Sequence, residues 1–234
     1  MKTWTTHSGY KIIQVLAGRS NVFLLTNGEK NILVDTSPGN RWRKLDKRLK
    51  GLHIDHIDYL ILTHSHYDHA GNAARLRDCY KAQVIIHKSE AAYLLSGKNS
   101  LVNGTNMLTY YMVQALMKPF GKMVFYKPCQ YDILVDSTYD LKNAGFNAYI
   151  LHTPGHSDGS MSVIVDDEIA LVGDCMFGVF KGSAFPPFAL NTGQMVDSWG
   201  KLLHTACSLF LPSHGSADSR ELVQRDYDRR KQNT

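Results

Sequence analysis

Apolar positions come in short bursts along the first part of the chain. Residues 10–17, 22–26 and 31–35 read as strands. The last two are joined by Asn27-Gly28, a two-residue turn whose twist suits a hairpin. Over residues 41–52 the period changes. Trp42, Leu45, Leu49 and Leu52 share one face at helical spacing, and Arg41, Arg43, Lys44, Lys47, Arg48 and Lys50 fill the rest, as on a solvated helix face. Further strands are predicted at 58–63, 83–87, 132–135, 148–151, 161–166, 169–172 and 209–211. Helices are predicted at 70–79, 88–95, 197–206 and 219–230.

One segment breaks the amphipathic rule. Residues 106–118 read as a helix apolar nearly all round, with Met107, Leu108, Tyr110, Tyr111, Met112, Val113, Ala115, Leu116 and Met117. Such a helix is either packed as core or is itself a lid over an apolar substrate pocket, a role that adaptable methionines suit. Strands and helices mix in two similar halves with no linker between them. That predicts an α/β fold (α+β in some schemes) and a single domain over 1–234, with a helical insert at about 88–120 covering the active site.

Composition narrows the class. With 44% hydrophobic and 20% charged residues in 234, the chain can bury a sizeable core. A net charge of +5 is mild, and much of the positive charge sits on the 41–52 helix, so no nucleic-acid partner is expected. The first residues lack the apolar stretch of a secretion signal, and no run approaches the length of a membrane span. Cys79, Cys129, Cys175 and Cys207 are scattered without a CxxC pair, which suits reduced thiols. The expectation is a cytoplasmic protein with no membrane contact.

The chemistry concentrates at strand ends. Residues 63–72 read THSHYDHAGN, three histidines and an aspartate within six positions just past an apolar run. In an extended segment residues two apart point the same way, so His64 and His66 can aim at one point. Asp68 and His69, where the chain turns toward a helix, can face a second point close by. Imidazole and carboxylate donors suit zinc and its first-row neighbours. Three more candidates end strands elsewhere: His156 in TPGHS, Asp174 in VGDC and His214 in LPSHG.

The series HSHYDH, TPGH, GD and SHG, in that order, resembles the metallo-β-lactamase superfamily, and the resemblance runs over most of the chain. It implies a four-layer αββα sandwich: two mixed β-sheets face to face, helices outside, metals at one edge. Carried over residue by residue, it puts His64, His66 and His156 on one metal and Asp68, His69 and His214 on a second, with Asp174 bridging. Asp35, in Leu33-Val34-Asp35-Thr36 at the end of strand 31–35, resembles the strand-end aspartate common there and would pair with the outward ring nitrogen of a ligating imidazole.

The resemblance further implies two divalent ions, zinc first, with iron or manganese accepting the same donors. The reaction expected is hydrolysis, with a metal-bridging hydroxide attacking the carbonyl of a small-molecule ester, lactone or thioester that has an apolar portion. Asp68 would orient the hydroxide or pass a proton to the leaving group. Phosphodiester cleavage, β-lactam hydrolysis and iron-based redox chemistry are the alternatives. Some lactonases of the family place a tyrosine three residues past the bridging aspartate, where this chain has Phe177. Tyr110 and Tyr111 are then the candidate phenols, and Phe177 a candidate wall of the substrate site. The Gly-, Pro- and Phe-rich segment 178–191 is expected to line the same pocket, and Cys175 is expected not to ligate.

Overall fold

A computed structural model describes residues 1–100, 102–117 and 125–232. In chain order it runs β1 (Thr3–Thr5), β2 (Lys11–Leu16), β3 (Val22–Thr26), β4 (Asn31–Val34), α1 (Trp42–Gly51), β5 (Tyr59–Ile61), α2 (Tyr67–Ala70), α3 (Ala73–Tyr80), β6 (Gln83–His87) and α4 (Ala91–Ser96). It continues with β7 (Asn103–Gly104), α5 (Met107–Met112), β8 (Ile133–Val135), β9 (Thr138–Asp140), β10 (Ala148–His152), β11 (Met161–Val165) and β12 (Ile169–Gly173). Last come β13 (Phe188–Ala189), α6 (Thr192–His204), β14 (Leu209–Pro212), β15 (Asp218–Ser219) and α7 (Arg220–Lys231).

The strands form two large mixed sheets, β1-β2-β3-β4-β5-β6-β8 and β15-β14-β12-β11-β10-β9, plus the small pair β13-β7. The period of two decides the layering. In β3, Phe23 and Leu25 face the second sheet, while Leu24 faces the helices outside. In β11, Val163 and Val165 face the first sheet, while Ile164 packs with Trp199 of α6 and Val223 of α7. Both faces of each central strand are therefore apolar, as in sheets covered on two sides. Three core layers separate four layers of structure, the expected αββα sandwich. At roughly 1.5–3 kcal/mol per large apolar side chain, these layers supply the main stabilising term.

Some expectations shift. Of the strands left unpredicted, β1, β9 and β15 are short edge strands, paired on one side only, and β7 and β13 are a two-residue pair inside segments that read as loops, all with little pattern to read. The predicted 70–79 helix is two pieces, α2 and α3, and the predicted 197–206 helix starts earlier, at Thr192, where the Asn191 side chain accepts from Gln194 N–H at 3.0 Å.

The largest correction concerns residues 106–118. They begin as α5 and widen into a π-helical turn at Val113–Met117; Lys118 lies outside the described residues. Val113 is buried, but Met107, Leu108, Tyr110, Tyr111 and Met112 are exposed, Leu108 by 81%. The apolar helix is not core. Local composition could not reveal this, because only the packing partners of a helix decide which of its apolar faces are covered.

Candidate metal centre

Every predicted ligand follows the C-terminal end of a strand. His64 follows β5, His156 follows β10, Asp174 follows β12 and His214 follows β14. Strand β5 runs parallel to β4, and β12 parallel to β14, so these ends open at one edge of the sandwich. The sheets also meet there directly, since Met161 N–H donates to Thr63 O at 2.9 Å. Gly173, at φ +56°, is required at this contact: a Cβ there would sit 2.8 Å from that of Thr63.

The fold brings all seven candidates together. Three overlapping groups each place their donor atoms within 4.8 Å of one another: His64, His66 and His156; His64, His69 and Asp174; Asp68, His69 and His214. His69 Nε2 lies 3.5 Å from Asp174 Oδ1 and 3.8 Å from Asp68 Oδ1. His214 Nε2 lies 3.3 Å from Asp174 Oδ2 and 3.6 Å from Asp68 Oδ2. His156 Nε2 lies 3.6 Å from Asp174 Oδ2, so Asp174 faces both halves of the cluster.

The outward ring nitrogens decide which lone pairs face inward. A carbonyl can only accept, so His156 Nδ1–H donates to Phe188 O at 2.9 Å and His66 Nε2–H to Ser100 O at 3.2 Å. His69 Nδ1–H donates to Asp35 Oδ2 at 2.8 Å. His64 Nδ1–H has Thr63 Oγ1 at 3.1 Å as acceptor, and that hydroxyl in turn donates to Asp35. Each assignment leaves one lone pair aimed at the centre. His64 Nε2 then faces His66 Nδ1 at 2.8 Å, and His156 Nε2 faces the same atom at 3.2 Å. Three acceptors converging this closely repel unless a cation lies between them. His69 Nε2 and Asp174 Oδ1 are buried without a hydrogen-bond partner, again as expected of atoms held for an ion. The donor set fits a metal.

Protonation follows the same geometry. Burial, and then the charge of His69, hold His64 well below the usual imidazole range; burial takes His66 and His156 down to about 4. Burial opposes charge on His69 too, but Asp174, Asp35 and Asp68 outweigh it and raise His69 well above that range. Asp174 is held well below the carboxylate range: burial acts against this, and the charges of His214 and His69 prevail.

The remaining candidates are placed as follows. Asp35 is fully buried at φ +62° and accepts from Thr63, His69 and Ser213. The Phe177 ring lies against His214, centroids 4.6 Å apart. Tyr110 and Tyr111 meet each other edge to face and are largely exposed on α5. Burial pushes the Cys175 thiol up to about 12, which suits an inert core group. Segment 178–191 does reach the centre: β13 pairs with β7, and Phe188 O is the acceptor for His156.

Sequence reasoning missed Thr63, Ser100, Ser213 and Glu90. Thr63 and Ser213 lie inside the motifs but have no ligand chemistry to mark them, Ser100 and Glu90 lie in no distinctive pattern, and each acts through a hydrogen bond to a motif residue or to Asp35.

A fold of this kind with this cluster defines a metallo-hydrolase class of protein. The profile of the metallo-beta-lactamase superfamily matches residues 15–214, and the chain belongs to that superfamily. It is 27% identical over 219 residues to the metallo-beta-lactamase fold-containing protein ST1585 of Sulfurisphaera tokodaii, covering 91% of this chain and 75% of that one. The crystal structure of ST1585 superposes with a TM-score of 0.65 at 22% identity, over 94% of this chain and 85% of that one, which shows the shared fold. The chain is also similar to the hydroxyacylglutathione hydrolase GloC of Haemophilus influenzae, 28% identical over 173 residues, 71% of each chain. It is 23% identical over 232 residues to the atrochrysone carboxyl ACP thioesterase of Aspergillus fumigatus, covering 94% of this chain and 61% of that one. Among the described residues, no helix is long and apolar enough to cross a membrane.

Proposed function

We propose that this chain is a hydrolase of small-molecule acyl compounds, with thioesters first among esters, lactones and thioesters. It would use two divalent ions, zinc first. The observation that carries the reading is the convergence of seven buried or half-buried donors at one edge of the sandwich. His64, His66 and His156 would hold one ion, Asp68, His69 and His214 the other, with Asp174 shared. Such ions supply Lewis acidity and a water acidic enough to lose its proton near pH 7.

The chain's own residues do the rest. Asp35, Thr63, Ser100 and Phe188 O fix the imidazoles in the tautomers that leave lone pairs inward. Asp68 is the partly exposed carboxylate of the cluster, with its side chain 15% accessible. It is therefore the group able to reach both an attacking water and a leaving group, and to move a proton between them. Phe177 walls the site on the His214 side. The exposed apolar face of α5 starts three residues after β7, whose partner β13 touches His156. That location suits contact with the apolar part of a substrate. Two relatives whose names specify thioester-type acyl substrates support the choice of thioester.

The test is metal analysis of the purified protein followed by a hydrolysis panel: a thioester, a homoserine lactone, an aryl ester, a cephalosporin and a bis-aryl phosphate. Preference for the thioester supports the reading. Preference for the phosphate overturns it.

A further inference from the structure

Glu90 is 1% exposed, and its carboxylate is shared between two loops that bear ligands. Its Oε2 accepts from Ser65 N–H at 3.1 Å and from the Ser65 hydroxyl. Its Oε1 accepts from Gly159 N–H at 3.3 Å. Ser65 lies between His64 and His66, so alternation along the extended segment turns it away from the metals as its neighbours turn toward them. Gly159 lies three residues past His156. The approach there is so close that a Cβ on Gly159 would meet Glu90 Cγ at 2.4 Å.

The same loop is braced from its other side. His152 Nε2–H donates to Asp158 O at 2.8 Å, and the His152 ring stacks on His87, centroids 4.0 Å apart and 14° from parallel. His87 Nε2–H donates to Asp136 O at 2.7 Å. One loop comes from the first sheet and the other from the second.

We propose that Glu90 is a positioning residue that sets the spacing of His64 and His66 against His156, and so tunes the three-histidine metal position selectively. The inference rests on the metal-centre reading above. A buried carboxylate is costly unless hydrogen-bonded donors surround it. Here two of the three donors are backbone N–H groups of the loops whose separation the three imidazoles need. Asp68, His69 and His214 receive no bond from Glu90, so their position should be largely insensitive to it.

The experiment is a cobalt(II) titration of metal-free protein, read by visible absorption and by chelator competition, for the wild type, Glu90→Gln and Ser65→Ala. In Glu90→Gln an amide N–H must face one of the three donors, so the clamp opens. The expected result is one binding step weakened by about 10–100-fold with an altered cobalt spectrum, the other step unchanged. Ser65→Ala, which removes only the hydroxyl bond, should move the same step by less. If Glu90→Gln fails to fold, Ser65→Ala decides alone. Wild-type binding and spectrum in the folded variants overturn the proposal, as does equal weakening of both steps. A wild-type chain that takes up no cobalt sinks the metal reading itself, and this inference with it.

Discussion

Asp35 and His69 stand 34 positions apart, and their fully buried side chains meet at 2.8 Å. The carboxylate takes the outward imidazole proton and accepts from Thr63 and Ser213 as well. Asp35→Asn keeps the shape and removes the charge. Metal affinity should fall by about 10–100-fold, the usual cost of losing a partner of a ligating histidine. Chelator competition measures it, and unchanged affinity would remove Asp35 from the centre.

Metal uptake should release protons. His69 lies well above the usual imidazole range in the metal-free chain, while His64, His66 and His156 lie below it. Burial opposes charge on His214 as well, but Asp174 outweighs it and raises His214. Loading at pH 7 must therefore expel the His69 proton and part of a second from His214, roughly one to two per chain, and affinity should weaken as pH falls. Calorimetry in buffers of different ionisation enthalpy counts the protons. A count of zero contradicts the assignment.

Asp218 titrates in an unusual window. Burial, and then the charge of Asp226, raise its carboxyl to about 7. The folded chain then holds a proton that the unfolded chain has released between about pH 4 and 7. That contribution to stability is present below pH 4, declines as pH rises through the window and is lost above 7. Asp218→Asn should remove this decline and stabilise the protein at pH 8 by about 1–2 kcal/mol, after discounting for solvent screening. Urea melts at pH 5 and 8 on both proteins check it.

The exposed face of α5 separates folding from substrate binding. Leu108→Ser with Tyr111→Ser should change stability by less than about 0.5 kcal/mol per site, because both side chains are exposed. If the face contacts substrate, KM for a long-chain acyl thioester should rise by about tenfold, close to the apolar contact of one side chain. KM for an acetyl thioester should stay constant. Parallel changes in both would detach α5 from substrate binding.

Much of the fold was readable along the chain, because both faces of each central strand are buried and each therefore stands out as a short, near-continuous apolar run. Edge strands such as β1 and β9 carried too few residues for a pattern. The seven candidate ligands were legible because imidazole and carboxylate cluster rarely, and each followed a strand whose end was predictable. Glu90 was not legible: a lone acidic residue before the apolar run Ala91–Ser96 looks like a helix start, and its partners Ser65 and Gly159 are remote in sequence.

The order of residues alone therefore settled which donors exist and which strands deliver them, since periodicity and ligand chemistry are local properties. Packing settled which imidazole nitrogen faces inward, because Phe188, Ser100 and Asp35 arrive from other elements to take the opposite one. It also settled that α5 presents its apolar side chains outward. Coverage depends on what lies beside a helix, and no pattern within the helix encodes its neighbours.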